Sequence, residues 1–186
     1  VCILKHASNV PLTAVEIEQI FHEAGFPDDV FQTLLVGAGT TERLIEGGNI
    51  DGVSLTGSVG AGARIGSLAG GLLKKVVLEL GGSDPFLVFG DADLEKAART
   101  ALASRTKNTG QSCISAKRII VMQDVVDEFQ KRFLDLLNGL KIGDPMDEAT
   151  DLGPLAKEES LKTLRAQLQD AEQKGAQIYY GPKPPG

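Results

Sequence analysis

Short apolar segments alternate with helical patterns along almost the whole of this 186-residue chain. Apolar runs such as residues 1–4, 33–37 and 118–122 have the length of buried strands, and the segments between such runs carry apolar residues at helical spacing. This alternation is typical of βαβ units, in which helices cover both faces of a parallel sheet. We therefore predict an α/β fold with parts of two doubly wound parallel-sheet domains, one over residues 1–82 and one over 83–186.

Local patterns predict where individual elements begin and end. Thr13 and Glu16 have the spacing of a capping box at a helix N-terminus, and Gly25 is placed to end that helix. After a long polar helix near the end of the chain, the apolar run at 176–181 predicts a final strand. Cys2 lies in an apolar strand, so we expect it to be a buried core residue.

Charge and composition exclude several classes of partner. A net charge of −6 and a pI of about 5.0 leave no basic face that could neutralise nucleic-acid phosphates. No apolar run reaches the ~18 residues of a membrane span, so we expect neither nucleic acid nor membrane as a partner. The chain has two cysteines, Cys2 and Cys113, which are too few for a disulfide framework and are typical of a protein in a reducing compartment. We also expect no metal site. Because the chain begins without Met and ends in the turn-rich string GPKPPG, we interpret it as an internal fragment.

Cys113 lies in the polar segment TGQSCIS, which is an unusual setting for a structural thiol. Basic residues stand on both sides, Arg105 and Lys107 before it and Lys117 and Arg118 after it. A positive surrounding favours the thiolate, and the thiolate is the nucleophilic form of cysteine. The segment therefore indicates a nucleophile, although these residues alone are equally compatible with an inert thiol in a connection from helix to strand.

Glu79 lies near the end of the apolar run VVLEL, at 76–80. If Glu79 is buried there, burial disfavours the ionised form of its carboxylate, which suits a general base that works near neutral pH. Gly81 and Gly82 follow directly and permit a ligand to approach the backbone closely. For Glu79 taken alone, we favour the alternative that it points into solvent at the end of its strand.

The segment LTGSVGAGARIG, at 55–66, predicts a strand, a glycine turn and a helix that begins at Ser58. The N-terminus of such a helix presents free N–H groups and a positive partial charge to an anion such as a pyrophosphate. Gly57, Gly60 and Gly62 form the pattern G-x-x-G-x-G, which is not the dinucleotide fingerprint G-x-G-x-x-G. Close packing of the helix on the sheet through small residues is an equal alternative.

Together these segments resemble the aldehyde dehydrogenase superfamily. LELGGSDP resembles its glutamate motif, NTGQSCISAKR its catalytic cysteine motif, LTGSVGAG its cofactor motif and LKHASNVPLTA the segment around the adenosine ribose. The segments LELGGSDPFLVF, NTGQSC and KIGDP are most similar to the NAD(P)-dependent succinate-semialdehyde dehydrogenase branch. The resemblance implies that residues 1–82 are the C-terminal part of a Rossmann-like NAD(P)-binding domain. Residues 83–186 would be the N-terminal part of an α/β catalytic domain.

The resemblance implies oxidation of an aldehyde, with succinate semialdehyde as the expected substrate, to its carboxylate. Cys113 would attack the aldehyde with its backbone N–H as one oxyanion donor, and Glu79 would activate the water that hydrolyses the thioester. The family's second oxyanion donor, an asparagine, would lie upstream of Val1. One alternative is a CoA-acylating enzyme, against which Glu79 argues because that branch typically lacks the glutamate. The other is an inactive nucleotide-binding or structural fragment, and we expect the fragment alone to be inactive.

The same resemblance assigns residues to the coenzyme and the substrate. Ser8 stands where NAD-preferring members often carry a glutamate, so we expect NADP to be accepted besides NAD. The implied coenzyme residues are Lys5, Ser8, Gly39, Thr56, Gly57, Ser58, Leu80 and Gly81. The candidate substrate residues are Ser112, Ile114 and Lys107, which stands where the branch often has an arginine that binds the substrate carboxylate. Lys107 is equally compatible with a solvated surface lysine.

The resemblance also implies an assembly and a location for the full-length protein. We expect a homo-oligomer, a dimer or a tetramer, whose other partner is a small-molecule aldehyde. The expected location is the cytoplasm, with the mitochondrial matrix as the alternative.

Overall fold

The computed structural model describes residues 1–182, in which strands alternate with helices. The chain divides into two compact units, Val1–Gly81 and Gly82–Gly186. Every strand pair of the described residues is parallel, so the α/β class that the sequence predicts is confirmed. Among these residues no helix combines the length and the apolar character needed to cross a membrane.

The first unit has two pairs of parallel strands with helices between them. Strand β1 pairs with β2 and β3 pairs with β4, and in the second pair Thr56 lies opposite Glu79. The carboxyl ends of β3 and β4 therefore lie side by side. In chain order the elements are β1 (Cys2–Lys5), α1 (Pro11–Glu23), β2 (Phe31–Leu34), α2 (Ala38–Glu46), β3 (Gly52–Thr56), α3 (Val59–Gly71) and β4 (Lys75–Glu79).

Helix α1 begins earlier than its sequence predicts and ends as predicted. Its N-cap is Val10, whose side chain makes no capping hydrogen bond, so the capping box of Thr13 and Glu16 is wrong. Pro11 explains the difference, because its fixed φ suits the first helical position and its missing N–H costs nothing there. Gly25 follows the helix with a φ of 82°, a left-handed conformation that glycine adopts without strain.

A bidentate ion pair joins α2 to α3 in the first unit. Arg64 donates from Nε and Nη2 to the two carboxylate oxygens of Glu42, at 2.5 and 2.7 Å. The hydrogen bond from Arg64 lowers the pKa of Glu42 below its ordinary value of 4.5. The ionised carboxylate therefore stabilises the folded state more than the protonated one does.

We expect Glu42→Gln to lower the urea midpoint of unfolding at about pH 7 and to lower it by less at about pH 3. Because the folded-state pKa lies below the unfolded one, the contribution is complete above the unfolded value and is lost as the pH falls through the folded value. Urea unfolding of both proteins at the two pH values measures the difference. Glu46→Gln, an exposed neighbour on the same helix, is the control. An equal loss of stability at both pH values would contradict the prediction.

The second unit is built on one parallel pair, β5 and β6, with helices packed against it. Its core consists of Val88, Ala98, Ala101 and Phe129. In chain order the elements are β5 (Asp84–Val88), α4 (Leu94–Thr106), a 3₁₀ segment (Lys107–Gly110), β6 (Ala116–Val121), α5 (Val126–Asn138) and α6 (Glu158–Gln173).

The final strand predicted at 176–181 is wrong, because these residues form no regular element in the described part of the chain. A strand is stable only when a neighbouring strand accepts and donates its backbone hydrogen bonds. None of the strands within residues 1–182 pairs with this segment. An apolar run is therefore not sufficient to predict a strand, because it does not show whether a partner strand is present.

Candidate active site

Cys113 lies in an exposed turn that leads into β6. Its side chain is accessible to solvent, and the turn is closed by the Ser115 N–H, which donates to the Ser112 carbonyl at 3.3 Å. The N–H of Cys113 makes no hydrogen bond to any of residues 1–182. An accessible thiol next to an unpaired N–H is the arrangement that covalent attack on a carbonyl needs.

The segment before this turn has an unusual backbone. Asn108, Thr109 and Gly110 have φ values of 52°, 55° and 74°, so three successive residues are left-handed. That conformation is unfavourable for side chains other than glycine, and most of all for a β-branched one such as Thr109. Three hydrogen bonds hold it: Arg105 Nη1 donates to the Gly110 carbonyl at 3.0 Å, and the Gln111 N–H and Gln111 Nε2 donate to the Asn108 carbonyl at 3.0 and 3.3 Å. The reversal ends the helical segment before Cys113.

Lys117 binds the backbone of the cysteine turn directly. Its Nζ donates to the carbonyl oxygens of Gly82, Ser112 and Cys113, at 2.7, 3.2 and 3.0 Å. The neighbouring Arg118 donates from Nε to the Ser83 carbonyl at 2.9 Å. In the sequence both residues indicate only positive charge, because the carbonyl oxygens that they bind cannot be identified from spacing.

The three candidate substrate residues border the same turn. Lys107 is exposed in the 3₁₀ segment and makes no ion pair with the residues that the structure describes. Ile114 follows the cysteine and is 65% exposed, whereas Ser112 is half-buried. A cation and an apolar side chain therefore face solvent on either side of Cys113 in the chain.

Cys2 is exposed, so the burial expected for it is wrong, and Glu79 is exposed as the solvent-facing alternative predicts. Glu79 is the last residue of β4, and its neighbours Val77 and Leu78 are exposed as well. Cys2 begins β1, which within residues 1–182 pairs with β2 alone. Burial of a strand depends on the layers that cover it, and apolar sequence does not show which layers are present.

The predicted coenzyme residues lie at strand ends and helix N-termini of the first unit. Lys5 ends β1, Thr56 ends β3, and Gly39 lies in the first turn of α2. Ser58 is the N-cap of α3, and its Oγ accepts a hydrogen bond from the Ala61 N–H at 3.2 Å. In open α/β sheets, ligands bind at this carboxyl edge of the strands. Gly57, Leu80 and Gly81 belong to the connections that follow β3 and β4, and Ser8 follows β1.

The start of α3 suits the pyrophosphate of a dinucleotide. A Cβ built on Gly60 would meet nothing within 4 Å, so the first turn of the helix is open on that side. The helix has 13 residues, and its first N–H groups carry positive partial charge. Gly62, in contrast, is buried, and a Cβ there would lie 2.5 Å from Leu80 Cδ2. Gly62 therefore serves close packing of the helix on the sheet, which was the alternative to a ligand site. Beside Gly60 there is open space instead.

Comparison with known proteins identifies the family. The model of the aldehyde dehydrogenase family matches residues 1–186. The chain belongs to the aldehyde dehydrogenase family. This confirms the resemblance inferred from the glutamate and cysteine motifs.

Individual family members show the same relationship. The chain is 47% identical over 182 residues to succinate-semialdehyde dehydrogenase, NADP(+), of Mycobacterium avium, and the match covers 98% of this chain and 39% of that protein. It is 46% identical over 181 residues to succinate-semialdehyde dehydrogenase, NADP(+), 1 of Mycobacterium tuberculosis, covering 97% of this chain and 40% of that protein. The chain thus spans about two fifths of the length of the curated relatives that it matches.

Solved structures of the family have the same fold. The succinic semialdehyde dehydrogenase of Streptococcus pyogenes, solved with NADP+ as the cofactor, superimposes with a TM-score of 0.92 at 37% sequence identity. The match covers 96% of this chain and 39% of that chain. The family fold is therefore present over almost the whole of these residues.

Proposed function

We propose that the full-length protein containing this chain oxidises succinate semialdehyde to its carboxylate with NADP as coenzyme. In this proposal the first unit is the C-terminal part of the NAD(P)-binding domain and the second is the N-terminal part of the catalytic domain. The observation that carries it is the exposed Cys113 thiol, in a turn whose carbonyl oxygens are bound by Lys117. The names of the relatives from Mycobacterium avium and Streptococcus pyogenes support the substrate and the coenzyme.

In the first half of the reaction, Cys113 is the nucleophile. Its thiolate adds to the aldehyde carbon, so a C–S bond forms and the carbonyl π pair moves to oxygen. The unpaired N–H of Cys113 donates a hydrogen bond to the resulting oxyanion. The coenzyme NADP+, held by Lys5, Ser8 and Ser58, would supply the acceptor for the hydride that leaves this carbon, and Cys113 would remain bound to the carbon as a thioester.

In the second half, Glu79 is the general base. Its carboxylate takes a proton from a water molecule, whose oxygen attacks the thioester carbon. The C–S bond then breaks, the Cys113 thiolate leaves, and the acid is released as its carboxylate. The exposure of Glu79 at the end of β4 supports this role because water can reach its carboxylate.

Lys107 is the group that favours a substrate that carries a carboxylate besides its aldehyde. Its ammonium is exposed in the 3₁₀ segment that precedes the cysteine turn. A substrate carboxylate would form an ion pair with the Lys107 ammonium. Unlike a guanidinium, an ammonium does not bind both carboxylate oxygens in a bidentate manner. Succinate semialdehyde carries such a carboxylate at the end opposite its aldehyde.

The coenzyme preference rests on Ser8, and we expect Ser8→Glu to raise the KM for NADP by roughly tenfold or more. A 2′-phosphate carries about −1.5 to −2 charges, which a glutamate would repel and a serine hydroxyl can meet with a hydrogen bond. The loss of one charge-assisted hydrogen bond costs about 1.5–3 kcal/mol, and about 1.4 kcal/mol is tenfold in affinity. Steady-state kinetics of the full-length protein with each coenzyme measures the effect.

Ser67→Glu is the matched control for this substitution. Ser67 is exposed on α3, so the variant adds the same charge to the same unit away from Ser8. The KM for NAD should change much less than the KM for NADP in Ser8→Glu, and neither should change in Ser67→Glu. Equal changes in both KM values would show that position 8 does not distinguish the two coenzymes.

An aldehyde panel tests the proposed function itself. We expect the full-length protein to oxidise succinate semialdehyde with a higher kcat/KM than butyraldehyde, which has the same chain length without the carboxylate. The assay follows formation of reduced coenzyme with NADP and, separately, with NAD. A protein that oxidises neither aldehyde with either coenzyme would contradict the proposed activity, and equal kcat/KM values would contradict the proposed substrate.

A further inference from the structure

All three N–H donors of the Lys117 ammonium have backbone carbonyl acceptors around Cys113. A lysine ammonium has three N–H donors, and the three carbonyl oxygens of Gly82, Ser112 and Cys113 lie within 3.2 Å of Nζ. Hydrogen bonds from a charged donor are about twice as strong as neutral ones. With its donors engaged in this way, Lys117 has no proton to give to a substrate, so its contribution must act through the backbone that it holds.

The direction of the Cys113 N–H follows from the hydrogen bonds that Lys117 makes to the carbonyls of Ser112 and Cys113. The Ser112 carbonyl and the Cys113 N–H belong to the same peptide group, and in a planar trans peptide they point in opposite directions. Because Lys117 attracts the Ser112 carbonyl to one side of the turn, the Cys113 N–H points to the other side. The Cys113 carbonyl, bound to the same Nζ, restricts the rotation of the next peptide group.

The contact with Gly82 anchors this arrangement outside the turn. Gly82 precedes β5, and it is separated from Lys117 by 35 residues of sequence. Arg118, the next residue of β6, makes a similar contact, because its Nε donates to the carbonyl of Ser83. Two successive basic residues of one strand therefore bind two successive carbonyls of the segment that leads into the paired strand. The cysteine turn is thus held against the sheet of its own unit.

We propose that Lys117 is a positioning residue that aims the Cys113 N–H at the oxyanion formed when the thiolate adds to an aldehyde. The inference rests on the proposed function. Replacement of the ammonium frees both carbonyls, so the two peptide groups can rotate and the N–H loses its fixed direction. Misplacement of a catalytic group by about 1 Å can cost roughly a hundredfold in rate.

The test compares two reactions of the same thiol in the full-length protein. Hydride transfer, measured as the rate of the first burst of reduced coenzyme, passes through the oxyanion. Alkylation of Cys113 by iodoacetamide proceeds without one, because the thiolate displaces iodide from a saturated carbon. We expect Lys117→Met to slow the burst by roughly tenfold to a hundredfold and to leave the alkylation rate within about twofold. Lys117→Arg keeps a cation with several donors and should restore most of the burst rate.

Lys131→Met is the matched control, because Lys131 is exposed on α5 and makes no side-chain hydrogen bond or ion pair within residues 1–182. It should leave both rates unchanged. An unchanged burst in Lys117→Met overturns the inference and leaves the proposed function intact if wild type oxidises aldehydes. An equal slowing of burst and alkylation also overturns it, because the thiol itself would then be affected. Failure of Lys117→Arg to restore any of the burst rate also overturns the inference, because a cation with several donors would then not be what holds the turn.

Discussion

Cys113→Ala in the full-length protein should abolish aldehyde oxidation and leave binding of the coenzyme intact. Removal of the thiol removes the atom that forms the first bond to the aldehyde carbon in the proposed mechanism, and no later step can proceed without that bond. Loss of a covalent nucleophile typically costs 10³-fold or more, and we expect a loss of roughly that size. Steady-state kinetics measures the activity, and calorimetric titration with NADP measures the binding.

Cys2→Ala provides a close control for this prediction. Both cysteines are exposed free thiols, but Cys2 begins β1 in the first unit and lies outside the cysteine motif. The Cys2 variant should keep full activity. Activity above about a tenth of wild type in Cys113→Ala would contradict the assignment of the nucleophile, since such a residue would contribute too little to be the attacking group.

Glu79→Gln should slow steady-state turnover and still allow a first burst of reduced coenzyme. In the proposed mechanism water is activated after hydride transfer, so a missing base stops the reaction at the thioester of Cys113. General bases contribute typically 10²–10⁴-fold, and we expect the steady-state rate to fall by about that factor. Stopped-flow measurement of reduced coenzyme separates the burst from the steady state.

Glu16→Gln is the control, because Glu16 is an exposed glutamate on α1 of the same unit. It should show wild-type burst and turnover. If the burst disappeared in Glu79→Gln, Glu79 would act before hydride transfer, for example on the Cys113 thiol. A wild-type steady-state rate in Glu79→Gln would exclude it as the base that activates the deacylating water.

The pattern of apolar segments was sufficient to predict the α/β class and most of the elements. Periodicity is a local property, and a strand of four to six residues or a helix of 13 residues leaves its spacing in the sequence. The exposure of Cys113 was also predictable, because its neighbours are polar and a turn needs no apolar contacts. The end of α1 at Gly25 followed from glycine alone, since few other residues adopt a positive φ without strain.

Two kinds of prediction failed because they depend on residues outside the segment concerned: the burial of a side chain and the pairing of a strand. Cys2 lies in an apolar run and is nevertheless exposed, because burial requires a covering layer that its own sequence does not specify. The apolar run at 176–181 forms no strand among the described residues because no strand pairs with it. The capping box failed for a local reason, since Pro11 starts the helix before Thr13 is reached.

The sequence by itself determined the family and the parallel α/β class, and it supplied Cys113 and Glu79 as the residues of the proposed mechanism, because motifs and periodicity are local features of the chain. The tertiary structure alone decided what holds the turn that contains Cys113. Lys117 is adjacent to Arg118 and four residues from Cys113, which suggests no more than positive charge. Its contact with the Gly82 carbonyl exists because β5 and β6 pair in parallel, which brings residues 35 apart in sequence within hydrogen-bond distance. Such convergence depends on strand register, and register is a property of the folded sheet.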